Sequence, residues 1–233
     1  MVIGWIGTGI MGGAMMCHIQ AAGHEVYAYN RTKAKALAYE KKGIIVCDTI
    51  AECVKNADVI FTMVAYPQDV EAVFEEIFAN AKAGSIAVDM TTSSPTLAKQ
   101  LYEKGKQKEI AVLDAPVSGG DSGAKAGTLS IMVGGDSAVY EKVLPLFQRM
   151  GTPHYMGECG CGQHTKACNQ ICVAGAVAAM SEAIYYARRN HLDEAKMLEA
   201  ISTGAAGSWQ INHTAPRVLA KDFAPGFFIK HFI

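Results

Sequence analysis

Residues 2–12 read Val2-Ile3-Gly4-Trp5-Ile6-Gly7-Thr8-Gly9-Ile10-Met11-Gly12. An apolar run ends at a glycine, the glycines at 7, 9 and 12 keep the spacing G-x-G-x-x-G, and a helical stretch to about Ala22 follows. Each glycine has a steric task. Gly7 permits a tight turn, Gly9 lets backbone approach a pyrophosphate, and Gly12 lets helix and strand pack closely, while the helix start offers free N–H groups to an anion. Alone the spacing is a weak signal; its place after a strand and before a helix makes it specific. Gly7, Thr8, Gly9, Ile10, Met11 and Gly12 therefore form the expected dinucleotide-binding turn.

Outward from that turn the chain repeats an apolar run, a turn signal and an amphipathic stretch as far as about Met156. This is the grammar of βαβ units. The apolar runs at 2–6, 26–29, 44–47, 59–64, 86–89, 111–117 and 129–133 are continuous rather than alternating, as parallel strands covered on both faces require. Thr32, Thr49, Ser94 before Pro95, and Asp136 stand where helices begin and offer oxygen acceptors to unpaired N–H groups. The predicted fold is a Rossmann-type, doubly wound, mostly parallel α/β sheet over residues 1–162. Residues 163–233 form a second, incomplete all-α domain. Its spine is one long helix from Gln163 to about Asn190, followed by helical segments near 192–203 and 208–219 with Gly204 and Gly207 as breaks.

The end of the second strand reads Tyr29-Asn30-Arg31-Thr32, where an NAD enzyme presents an acid to the ribose 2′-hydroxyl. No acid stands there. Arg31 can pair with a 2′-phosphate, and Asn30 and Thr32 can donate hydrogen bonds, so the expected cofactor is NADP rather than NAD. Met63, Val64 and Ala65 end the fourth strand, and Thr92 follows the fifth, at the sheet edge where ligands of open α/β folds sit. Thr92 is placed against the nicotinamide ribose.

Bulk properties bound the partners. The 233 residues carry a formal net charge of −1, with 18% charged and 50% apolar residues, so there is no cationic field to gather nucleic acid or an anionic membrane. The longest apolar window, 171–180, is half the roughly 20 residues a bilayer crossing needs, and is predicted to be a buried helix. Seven cysteines without a regular framework, and no secretory signal at the start, point to reduced thiols in the cytoplasm. Cys159, Cys161 and His164 lack an evident fourth ligand, so no metal is expected.

Two further motifs carry the chemistry. Asp114-Ala115-Pro116-Val117-Ser118-Gly119-Gly120 ends a strand with a hydroxyl and two glycines, able to turn backbone N–H groups toward an anion. Gly160-Cys161-Gly162-Gln163-His164-Thr165-Lys166 leads into the long helix. Lys166, Asn169 and Gln170 fall on one of its faces, and Val173, Val177 and Met180 continue that stripe. A lysine on such a stripe is costly to bury unless employed, and burial lowers its pKa toward the range useful for proton transfer. Lys166 is the candidate acid/base.

With the glycine turn, the 114–120 run and the 160–170 run in this order, the chain resembles the β-hydroxyacid dehydrogenase family over its whole length. That family includes 3-hydroxyisobutyrate dehydrogenase, tartronate semialdehyde reductase and the glyoxylate/succinic semialdehyde reductases. The resemblance implies hydride exchange between NADP(H) and a small β-hydroxy acid or semialdehyde. It implies that Ser118, Gly119 and Gly120 bind the substrate carboxylate, that Lys166 is the catalytic lysine, and that Asn169 and Gln170 orient substrate or lysine. Trp209 resembles an aromatic that walls the pocket in relatives. A homodimer or homotetramer through the helical domain is implied by analogy.

The sequence departs from the family at its end. Relatives continue past residues 227–233 into a Lys-Asp pair whose lysine reaches the cofactor, and Lys230 does not take that motif position. Two other readings compete. A 6-phosphogluconate dehydrogenase-like enzyme uses a similar lysine, but carries His where Asn169 stands and needs a much larger helical domain. An NADP-binding scaffold without turnover is the other, and the retained Lys166 argues against it.

Overall fold

The computed structural model describes residues 1–224; the 227–233 segment with Lys230 lies outside them. The chain divides into two compact units, Met1–Lys166 and the residues from Ala167 on.

In the first unit, β1 (Val2–Ile6), β2 (Glu25–Tyr29), β3 (Ile45–Val46), β4 (Val59–Thr62), β5 (Ile86–Asp89) and β6 (Ala111–Asp114) form a parallel sheet in the order 3-2-1-4-5-6. The order reverses between β1 and β4, and the glycine turn lies at that reversal, where open α/β sheets bind ligands. The strands are apolar on both faces because both are covered. On one face Trp5 stacks on Phe61 with ring centroids 5.1 Å apart, beside Met15, Met16, Leu146 and Phe147. On the other, Ile60, Val70, Phe74, Ile77 and Leu101 form a second layer.

The run 111–117 is not one strand. Pro116 has no N–H to continue the ladder, so the chain breaks into β6 and a short β7 (Val117–Ser118). Both pair antiparallel with β8 (Leu129–Gly134), and Pro116 keeps only its acceptor role, receiving the Met132 N–H at 3.0 Å. A ninth strand, β9 (Gly151–Gly157), runs parallel beside β8. Its sequence, GTPHYMG, lacks an apolar run because most of it is exposed.

Of the predicted caps, Thr49 accepts from the Glu52 N–H and Ser94 from the Leu97 N–H, starting α3 (Ile50–Val54) and α5 (Pro95–Gln107). Thr32 and Asp136 stand at helix starts without a side-chain cap bond, and Asp136 instead accepts from the Tyr102 hydroxyl at 2.6 Å. Between these lie α1 (Ile10–Ala21), α2 (Lys33–Leu37), α4 (Pro67–Asn80), α6 (Gly120–Ala126) and α7 (Ser137–Phe147).

A single helix, α8 (Cys161–Arg189), runs through the division between the units. Beyond it, α9 (Glu194–Ser202), a π-helical turn (Gln210–Thr214) and α10 (Ala215–Leu219) gather a small core of Met180, Ile184, Leu198, Ile211 and Ala215. The expectation that 171–180 is a buried helix is corrected: Ile171 is 73% exposed and only Met180 of that window is buried. Apolar side chains run around α8, and this small core covers one stripe of them. By length and composition alone α8 reaches what a bilayer crossing needs. A helix of this kind is weak grounds for a membrane.

Candidate active site

The glycine turn separates what the protein demands from what a ligand demands. A Cβ on Gly7, whose φ is +97°, would lie 2.1 Å from the Met63 carbonyl oxygen, and one on Gly12 would lie 2.1 Å from the Gly7 carbonyl oxygen. Both must be glycine for the turn to close. Gly9 differs: its φ of −66° is ordinary, and a Cβ there would meet nothing within 4 Å. The space over Gly9 fits a pyrophosphate approaching the start of α1. Thr8 beside it is 3% exposed, yet its hydroxyl has no hydrogen-bond partner among the described residues.

Asn30 braces this turn. Its Oδ1 accepts from the Thr8 N–H at 2.9 Å and its Nδ2 donates to the Thr32 carbonyl at 2.9 Å. Arg31 projects outward, its side chain 85% exposed, and meets Asp69 of α4 at 3.2 Å. Met63, Val64 and Ala65 are half-buried after β4, and the Val64 N–H donates to the Thr91 hydroxyl at 3.0 Å.

At the other end of the sheet edge, Lys166 is buried, 9% exposed, and its Nζ donates to the Val117 carbonyl at 2.8 Å. Burial lowers its pKa to about 8. The hydrogen bond puts the amine next to Ser118, whose half-buried side chain ends β7. Gly119 and Gly120 follow with φ of +134° and +65°, a backbone that L side chains rarely adopt, and a Cβ on Gly120 would meet open space. Lys166 and the 118–120 turn are thus adjacent. Asn169 and Gln170 lie one turn further along α8, half-buried, with the Asn169 amide donating to Gln170 Oε1 at 2.9 Å. Val173 and Val177 are half-buried and Met180 buried on the same stripe. Trp209, in the second unit, is exposed and stacks on His213 with centroids 4.7 Å apart.

Three buried polar residues hold this end together, and none stands out in the sequence as a site residue. Asp114 accepts from the N–H groups of Gly160 and Gln163, both at 2.8 Å, and so fixes the first turn of α8. Gln163, 2% exposed, donates from Nε2 to the Thr91 carbonyl at 2.8 Å and accepts the Ser93 N–H at 2.9 Å. Asp89 accepts from the Thr62 hydroxyl at 2.8 Å and the Thr91 N–H at 3.1 Å, and burial raises its carboxyl to about 6. The available signal was an acid at the end of an apolar run, as at Asp89 and Asp114. Cys159, weighed above as a metal ligand, packs as a thiol donating to the Ala98 carbonyl, and burial raises it to about 12.

Comparison with known proteins matches residues 2–173 to the NAD binding domain of 6-phosphogluconate dehydrogenase and residues 160–233 to the NAD-binding domain of NADP-dependent 3-hydroxyisobutyrate dehydrogenase. The chain belongs to the β-hydroxyacid dehydrogenase family. It is 50% identical to an uncharacterised oxidoreductase of Bacillus subtilis over 99% of this chain and 82% of that protein. It is 44% identical to a probable mitochondrial 3-hydroxyisobutyrate dehydrogenase-like protein of Arabidopsis thaliana, over 99% and 70% of the two chains. Among solved structures, the Mycobacterium tuberculosis 3-hydroxyisobutyrate dehydrogenase with L-serine superposes with a TM-score of 0.90 at 29% identity, covering 97% of this chain and 80% of that one. As a β-hydroxyacid dehydrogenase, the chain is an NAD(P)-dependent oxidoreductase of the 3-hydroxyacid class built on a Rossmann-type domain.

Proposed function

We propose that this β-hydroxyacid dehydrogenase exchanges a hydride between NADP(H) and a small semialdehyde or 3-hydroxy acid, with Lys166 as general acid and base. The reading is carried by one observation: a desolvated lysine amine, 2.8 Å from the Val117 carbonyl, stands beside the 118–120 turn.

The turn from Gly7 to Gly12, with Asn30 as its brace, holds the pyrophosphate, and Arg31 pairs with the 2′-phosphate. Thr32 joins it at the ribose. Met63, Val64, Ala65 and Thr92 line the cofactor's path along the sheet edge. When bound, the nicotinamide supplies or takes the hydride. Ser118 and the N–H groups of Gly119 and Gly120 grip the substrate carboxylate. In reduction the Lys166 ammonium gives a proton to the carbonyl oxygen as the carbon gains hydride; in oxidation the neutral amine takes the hydroxyl proton. With its pKa near 8, both forms are accessible near neutral pH, where such catalysis contributes about 10²–10⁴-fold. Asn169, Gln170 and Trp209 carry over from the family as further substrate contacts.

The second unit exposes Ile171, Tyr185 and Tyr186, a surface that favours a homodimer or homotetramer through the helical unit. The net charge of −1 and unpaired cysteines favour a small-molecule partner and a cytoplasmic setting.

The test is a panel of tartronate, succinic and related semialdehydes, glyoxylate and 3-hydroxyisobutyrate, assayed with NADP(H) and NAD(H) in parallel. NADP-linked turnover that disappears in Lys166→Ala, with NADPH binding retained, is the expected result. Unchanged turnover in Lys166→Ala, or equal use of NAD, would overturn the proposal.

A further inference from the structure

Gln163 makes three hydrogen bonds whose pattern is more specific than packing requires. Its backbone N–H meets Asp114 on β6, and its side-chain amide meets the Thr91 carbonyl and the Ser93 N–H, 72 and 70 residues away. Those two groups flank Thr92. The amide therefore pairs with the loop after β5 as a neighbouring peptide group would, one donor and one acceptor on either side of a single residue. Gln163 also sits one helical turn before Lys166, in the turn of α8 whose N–H groups Asp114 holds.

We propose that Gln163 is a positioning residue that sets the distance between Thr92 and the Lys166 amine, fixing where hydride and proton arrive relative to each other. The inference rests on the roles given above to Thr92 and Lys166. Two ends of the reaction are carried by separate segments, the loop after β5 and the first turns of α8. One buried amide spans them. Thr91 extends the link, its hydroxyl receiving the Val64 N–H and its own N–H bound by Asp89, so the loop is held from β4, β5 and α8 together. Displacing a reacting group by about 1 Å costs on the order of 10²-fold in rate, so a residue acting this way lowers kcat while leaving binding intact.

Gln163→Leu keeps the shape and removes both side-chain bonds; Gln163→Glu keeps the acceptor for Ser93 and loses the donor to Thr91. The enzyme with its full chain is assayed for kcat, KM for the semialdehyde, NADPH affinity by fluorescence, thermal midpoint, and the primary isotope effect with NADPH deuterated at the transferred position. The expected result for Gln163→Leu is kcat lowered about 10²-fold, NADPH affinity within a few-fold of the parent, and a larger isotope effect because the chemical step has become limiting. Gln163→Glu, which sets a buried carboxylate oxygen against the Thr91 carbonyl, should be impaired at least as far as Gln163→Leu. A variant with a lowered thermal midpoint but parental kcat and isotope effect would reduce Gln163 to a packing residue and overturn the inference. If Gln163→Leu does not fold, Gln163→Met, which keeps the length of the side chain and likewise removes both side-chain bonds, decides on the same readouts. Lys166→Ala, run alongside, separates the failures: full activity there defeats the underlying reading, whereas its loss beside an unaffected Gln163 variant defeats only this inference.

Discussion

The Lys166 amine donates to the Val117 carbonyl oxygen at 2.8 Å, which fixes that amine one residue from Ser118. The bond costs nothing in charge neutralisation, since a carbonyl is neutral, and the lowered pKa arises from burial alone. The amine is thereby aimed without being tied to a counter-ion.

From this follows a pH profile. With Lys166 as the proposed acid and base, reduction would need the ammonium and its rate should decline as pH rises through about 8, whereas oxidation would need the neutral amine and should decline as pH falls through about 8. Rates in both directions over pH 6–10 check it. Limbs that stay in place in Lys166→Arg would assign them to another group.

The glycine turn predicts a contrast between neighbours. Gly7→Ala and Gly12→Ala each drive a Cβ to 2.1 Å from a carbonyl oxygen. Overpacking, with a left-handed backbone added at Gly7, should cost roughly 2–5 kcal/mol of stability. Gly9→Ala meets no atom within 4 Å and should melt like the parent, yet lose about tenfold or more in NADPH affinity, or about 1.4 kcal/mol. Thermal melts and fluorescence titrations of the three variants separate fold from ligand.

Arg31 predicts the cofactor preference. Removing a charge-assisted hydrogen bond is worth about 1.5–3 kcal/mol, or roughly 10–10²-fold. Arg31→Ala should therefore raise KM for NADP by that factor and leave NAD unchanged. Parallel titrations decide it, and equal losses for both cofactors would remove Arg31 from phosphate recognition.

Asp89 predicts a stability effect with a definite sign. Its folded pKa of about 6 lies above its ordinary 3.8, so the folded state binds the extra proton between these values and loses stability as pH rises through them. Asp89→Asn keeps the Oδ1 that accepts from both Thr62 and Thr91. It should be more stable than the parent at pH 7, by up to about 3 kcal/mol, with the gain vanishing below pH 4. Denaturant melts across pH 4–8 measure it.

Much of this was legible because local rules and tertiary need agreed. The 2–12 stretch showed its strand, turn and helix, and Lys166 stood out because a cation on an apolar stripe demands an explanation. The break at Pro116 was visible as a residue but not as a change of strand direction, since antiparallel pairing with β8 depends on where the chain returns. β9 left no apolar run because most of it faces solvent. Gln163 was silent for a different reason: its partners Thr91 and Ser93 lie some 70 residues away, and spacing along a chain does not record such pairings. The burial expected of 171–180 failed because apolar composition does not say whether a neighbour within the same chain exists to cover it.

Where β6, β8 and the start of α8 meet, Gly134 and Gly162 would each put a Cβ within 3 Å of Asp114 and of neighbouring backbone. That junction is closed to redesign, because every atom added there displaces main chain. Side-chain volume can be added beside Gly120 instead, where a Cβ would meet nothing within 4 Å, although its φ of +65° strains any residue but glycine.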